Sequence, residues 1–183
     1  AATAACIFKL DRFKMYENGI ISFNLPISGQ VIGARASRTT HPQVLKGYSE
    51  LFSQLTGKQF VAENPFIWKT RAEVIDVVKR LRPDLINRTH SCSHTHSASK
   101  MFTHCGLCSQ CIDRRFAVIA SKSKQFDSAD MYEVDLLTGQ RKEGKDRTMA
   151  ESYIRTAVEI DEISDFDFFQ RFGETTRAIG YLP

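Results

Sequence analysis

The sequence predicts an α/β fold that carries a helical lobe tied together by a metal ion. Two observations lead there. Strand-like and helix-like segments alternate through the first half of the chain, an order that favours an α/β layer over a helical bundle. Four of the five cysteines then fall close together, as Cys92, Cys105, Cys108 and Cys111. A C-x2-C step lets two thiolates on one tight turn reach the same ion, and four thiolates complete a tetrahedral zinc shell. Zinc is the first assignment for such soft ligands and an iron–sulfur cluster the second.

The elements follow in order. The opening Ala1 to Phe8 is apolar but is stopped by Lys9 and Asp11. It is too short to span a membrane and has no basic leader, so it does not read as a signal peptide. Clustered thiols without such a leader suggest a reducing, cytoplasmic setting. Cys6 stands apart and reads as a small buried apolar side chain. An extended piece is expected around Phe13 and Met15. The Asn18-Gly19 turn signal followed by Ile20, Ile21 and Phe23 predicts a short strand at 19–24. Pro26 suits the first turn of a helix, and the small residues from Ser28 to Ala34 let it pack closely. Gly29 and Gly33 do not have the spacing of a phosphate loop.

Val44, Leu45, Tyr48, Leu51, Phe52 and Leu55 recur at helical spacing from Pro42 to Thr56, and Gly57 ends the run. Phe60 and Val61 read as a short strand. Thr70-Arg71-Ala72-Glu73 is a capping box that starts the next helix. Val74, Ile75, Val78 and Leu81 form its apolar face, and Pro83 stops it. From Arg88 to His104 the chain is polar, a loop that an ion would hold in place. Gly106 gives the cysteine turn its backbone freedom. A helix begins at Ser109 with Ile112, Phe116 and Ile119 on one face. Further helices are expected near 147–160 and, Phe-rich, near 164–172, packing back on the core.

Composition sets limits on function. The chain has 183 residues, 42% hydrophobic and 25% charged, which suits one domain with a proper core. Its formal charge of +4 falls to about +2 once four thiolates hold a divalent ion. That is too little to argue for nucleic acid from charge alone. His90, His94, His96 and His104 share the metal segment, and any of them can replace a thiolate. His94 and His96 read instead as solvated loop residues. Four filled positions leave no open coordination site, so the ion reads as structural rather than catalytic. A redox role for Cys108 and Cys111 lacks the flanking context that lowers a thiol pKa. Arg35, Arg38, Lys69, Arg71, Lys79, Arg80, Arg82, Arg88, Arg114 and Arg115 come from separate elements. Their forks suit carboxylates and phosphates, yet most such residues are solvated helix faces. Asn24, at a predicted junction, reads equally as a helix cap and as a pocket residue.

Three stretches resemble the 7-cyano-7-deazaguanine synthases of the QueC type, in the PP-loop superfamily. Thr89-His90-Ser91-Cys92 fits the family's T-x-S-C. Cys105 through Arg114 fits C-G-x-C-x-x-C-x-x-R. Pro65 through Glu73 is similar to the P-L…K-A-E helix start, with Arg71 where lysine is usual. Phe23-Asn24 sits more loosely where the family has Arg-Asn. The resemblance implies the C-terminal part of a Rossmann-like, adenine-nucleotide alpha-hydrolase-like fold. Residues 1–66 would be the rest of the α/β body, 67–125 a helical lobe with the four-cysteine zinc site, and 126–183 a helical extension, in one compact unit. It also implies an activity: ATP and magnesium activate 7-carboxy-7-deazaguanine, and ammonia converts it to the nitrile. Asn24 and Arg71 are the implied substrate-binding residues, and Arg114 braces the metal loop. The family tends toward homodimers, which the sequence itself leaves open, and no membrane partner is implied.

Two departures qualify this. The family's S-G-G-x-D-S nucleotide loop does not occur in the sequence, so the chain is expected to be a fragment. The chain also continues from Cys111 to Pro183, beyond the synthase's short tail. With Phe23 in place of arginine, this points to a longer QueC-like branch such as occurs in bacterial defence clusters, where a protein partner is an option. Two other classes compete with the ligase: a non-enzymatic zinc module binding nucleic acid or protein, and a PP-loop tRNA-thiolation enzyme.

Overall fold

The computed structural model describes residues 1–25, 39–94 and 101–182. They form two compact units, where the sequence suggests one. The expected helix at Pro26 with the small residues Ser28 to Ala34, and Arg35, Arg38 and His96, lie outside the described residues.

The first unit is built from 1–25, 39–69 and 162–182. It opens with helix α1 (Ala2–Ile7), strand β1 (Arg12–Lys14), the single-turn helix α2 (Gly19–Ser22), helix α3 (Pro42–Thr56) and strand β2 (Val61–Glu63). The two strands pair in parallel, Arg12 with Val61, Phe13 with Ala62 and Lys14 with Glu63. A parallel pair needs a crossover, and α3 is part of it. Ser49 and Ser53 on α3 accept the backbone N–H groups of Ala62 and Phe60, both at 2.9 Å. Phe60 packs its ring against Phe13 at 6.1 Å and Phe52 at 5.4 Å. Mixed helix and strand with a parallel pair fits the α/β class.

The expected strand at 19–24 is corrected to α2. Asn18 caps it, its side-chain oxygen accepting the Ile21 N–H at 3.2 Å. An Asn-Gly pair serves a hairpin only if two strands flank it; here the same asparagine starts a helical turn instead. Cys6 is half-buried rather than buried. The helix from Pro42 to Thr56 forms as expected, with His41 accepting the Gln43 N–H at its start and Gly57 at φ +67° at its end.

The second unit is built from 70–94 and 101–161. Helix α4 (Arg71–Leu81) carries the expected capping box, with the Glu73 carboxylate accepting the Thr70 N–H at 2.7 Å. Leu81, expected on its apolar face, is exposed. Helix α5 (Ser109–Ala120) follows the cysteine turn, and α6 (Lys145–Glu162) packs back on it. Ile112, Met149, Ala150 and Tyr153 form their shared core, and the Tyr153 hydroxyl donates to the Ser109 carbonyl at 3.1 Å. Helices α7 (Asp165–Arg171) and α8 (Gly173–Ile179) belong to the first unit. No helix among the described residues is long and apolar enough to cross a membrane.

Candidate metal centre

Cys105 to Cys108 form one tight turn, in which the N–H groups of Leu107 and Cys108 both donate to the Cys105 sulfur at 3.4 Å. Gly106 makes the turn at φ +74°, a conformation L side chains rarely adopt. Cys108 is the N-cap of α5, which places Cys111 in the first helical turn. The positive end of a 12-residue helix thus faces the sulfurs. Cys92 arrives from the loop after α4.

All four cysteines are buried, and their sulfurs lie within 4.8 Å of one another. Cys105 and Cys111 sulfurs stand 3.9 Å apart, and all four thiols are free. Tetrahedral zinc with bonds of ~2.3 Å sets its sulfurs ~3.8 Å apart, so this spacing suits an ion and not a disulfide. Hydrogen bonding with Cys108 pushes the Cys105 thiol up to about 11, and bonding with Cys105 and then Cys108 pushes Cys111 up. The bonds from Cys105 and Cys111 hold Cys108 far below the ordinary thiol range. Thiolates this close repel, so a cation among them is what lets all four ionise together.

The loop that delivers Cys92 is held by Arg114. Its guanidinium donates to the Thr89 hydroxyl at 2.6 Å, the Ile86 carbonyl at 2.6 Å and Asp127 at 2.7 Å. Arg115 beside it donates to Asp135 at 2.7 Å and also meets Asp127. Neither arginine is a solvated helix face: both are buried, and Asp127 is fully buried between them. The Tyr132 hydroxyl donates to the same Asp127 at 2.7 Å.

A strap then lies along the cysteine turn. The His104 N–H donates to the Met131 carbonyl at 3.0 Å, and the Glu133 and Val134 N–H groups donate to His104 and Cys105 at 2.9 and 3.3 Å. Arg141 donates to the Gly106 carbonyl at 2.9 Å. A Cβ on Gly106 would stand 1.8 Å from the Val134 oxygen. His104 is fully buried between the rings of His90 and Tyr132, with no hydrogen-bond partner for either ring nitrogen among the described residues. Burial, and then the Arg114 charge, pushes it down to about 4, so the ring is neutral near pH 7. His94 is exposed as expected of a loop residue, yet its Nδ1 lies 3.5 Å from the Cys105 sulfur.

Residues 38–122 match the family model of the queuosine biosynthesis protein QueC. The chain carries a QueC-like segment. No curated protein and no solved structure matches the chain. The QueC-like segment contains all four cysteines and Arg114, whereas the groups that cover the turn from the other side, Asp127, Tyr132, Val134, Asp135 and Arg141, lie beyond it. Sequence reasoning missed these partners. The signal was the Arg114-Arg115 pair on a helix whose other residues are largely apolar, since two buried guanidinium groups require acids nearby.

The two substrate candidates lie in different units. Asn24 follows α2 with φ +53°, the left-handed conformation that asparagine tolerates after a helix end. Arg71, in the first turn of α4, is paired with Asp113 and donates to Gln110 at 3.3 Å, which ties α4 to α5.

Proposed function

We propose that the chain is the C-terminal part of a QueC-like, ATP-dependent C–N ligase of PP-loop, Rossmann-like fold. Its substrate would be 7-carboxy-7-deazaguanine, converted with ammonia to 7-cyano-7-deazaguanine or used in a related deazapurine-dependent modification. One observation carries this reading: the QueC match covers the four-cysteine centre and the arginine that braces it. The burial of all four cysteines supports a structural zinc ion and speaks against sulfur transfer by an accessible cysteine pair.

A carboxylate is a poor electrophile until one oxygen becomes part of a good leaving group. Transfer of AMP from ATP to that oxygen releases pyrophosphate. Ammonia then adds to the carbonyl carbon and AMP departs, leaving the amide. A second activation, at the amide oxygen, lets AMP leave again as the nitrogen loses its protons, giving the nitrile. Magnesium would offset charge on the phosphates. On this reading zinc holds the lobe around Cys92 and the 105–111 turn, and the protein works in the cytoplasm.

The test uses the protein together with whatever sequence precedes Ala1, supplied with ATP, magnesium, ammonia and the deazapurine acid. AMP release that depends on the acid, and a nitrile or amide product by mass spectrometry, are expected. Acid-independent ATP turnover, or none, would overturn the reading.

A further inference from the structure

Within the first unit, α3, β2 with the loop after it, and the residues just beyond α8 enclose a pocket of about 580 Å³. That volume is in the range of small-molecule sites, which are mostly apolar with few oriented polar groups. Leu45, Ile67 and Pro42 form apolar wall, and Trp68 and Tyr181 stand at its sides. The Phe23 ring lies 6.1 Å from that of Trp68, yet Trp68 stays 70% exposed, which leaves most of its large apolar surface open to a ligand.

The polar groups of the lining are nearly all committed. The Ser49 hydroxyl donates to the Leu45 carbonyl and accepts the Ala62 N–H. The Asn64 amide donates to the Glu17 carbonyl and the Ser22 hydroxyl, and its oxygen accepts two backbone N–H groups. Glu63 is paired with Lys14 at 3.2 Å. Lys46 differs: its ammonium lies 5.5 Å from the centre of the Tyr181 ring and makes no ion pair among the described residues. The pocket therefore offers flat aromatic surface, apolar walls and one positive charge that rests against the Tyr181 ring with no acid paired to it among the described residues.

We propose that this pocket binds a planar aromatic acid, its ring against Trp68 and Tyr181 and its carboxylate on Lys46. The deazapurine acid of the proposed reaction is one member of that class, so the inference extends that reading but is testable apart from it.

Trp68 is the single tryptophan of the chain, so its indole N–H gives one resonance in a nitrogen-15 spectrum. Titration with 2-naphthoate should move that resonance saturably. The neutral isostere 2-naphthamide should bind about threefold to fivefold more weakly, the size of a solvent-exposed ion pair. Lys46→Met should erase the difference between the two, and Trp68→Ala, read by calorimetry, should weaken both. Lys46 is exposed, so its variant keeps the fold, which the rest of the spectrum checks. No shift at any soluble concentration, or equal affinity for acid and amide, overturns the site.

A parallel titration uses 7-carboxy-7-deazaguanine. If it moves the Trp68 resonance, the pocket serves the proposed reaction. If it binds by calorimetry without moving Trp68, the pocket assignment fails for that acid while the reaction stands. If naphthoate binds and the deazapurine acid binds nowhere, even on the protein with the sequence that precedes Ala1 and with ATP and magnesium present, the pocket stands and the reaction reading fails.

Discussion

Gly106 and Gly57 share a left-handed backbone but differ in what surrounds them, and the difference is measurable. Gly57 has open space where a Cβ would go. Gly57→Ala should therefore cost only the conformational penalty, about 1–2 kcal/mol in denaturant unfolding. Gly106→Ala adds a clash with the Val134 backbone oxygen, which cannot swing aside as a side chain does. It should cost clearly more than Gly57→Ala and should also lower the bound metal per chain. Equal costs would show that the strap yields freely. Asp127 is the second sensitive residue. It is fully buried and serves Arg114, Arg115 and the Tyr132 hydroxyl together. Removing one partner of a buried pair leaves uncompensated charge, so Asp127→Ala should destabilise by about 3–5 kcal/mol. Its readout is the unfolding midpoint in the presence of metal. The cysteines were legible in the sequence because their chemistry fixes their spacing. Asp127 was not, because a buried acid shows itself only through the arginines that reach it.

Elements whose ends carry their own chemistry were the ones sequence reasoning recovered. α3 begins at Pro42 and stops at Gly57, and α4 begins with the reciprocal bonds of Thr70 and Glu73, so both were legible to within a residue. α2 was not, because Asn18-Gly19 suits either a turn between strands or the cap of a helical turn. α1 was missed, since Ala2 to Ile7 lacks a side-chain cap and any polar rhythm. The pairing of β1 with β2 was beyond sequence reasoning as well: each strand is three residues long, and their register depends on α3 lying across them. The cap on α4 predicts a local effect. Thr70→Ala should cost about 1 kcal/mol, the usual value of a lost N-cap. Thr70→Ser should keep most of it, since the hydroxyl and the Glu73 carboxylate can still exchange bonds. Thermal unfolding of the two variants checks this; equal losses in both would mean the threonine methyl, and not the cap, matters.

For the whole molecule, the metal centre and the pocket fall in separate units, and this separates their energetics. All four cysteines and the strap from Asp127 to Arg141 belong to the second unit; Trp68 and the parallel strands belong to the first. Metal binding to four thiolates is coupled to folding, with free energies on the order of 10 kcal/mol for structural zinc at neutral pH. In the second unit the Cys92 loop and the cysteine turn bring the four sulfurs together, while the Arg114–Asp127 pair and the strap's backbone bonds hold the same segments, so an ion adds to an existing network. Elemental analysis should find about one zinc per chain. Stripping it with a strong chelator should raise amide exchange across residues 86–94 and 101–141, most of all at His104, Glu133 and Val134, whose N–H groups bond across the turn and strap. Exchange in β1, β2 and α3 should change little, and the Trp68 resonance should hold its place. If the chelator instead releases amides in both units together, the chain unfolds as one cooperative body and the ion supports all of it. If it releases neither, the sulfurs hold no ion that matters to the fold, and the zinc assignment fails.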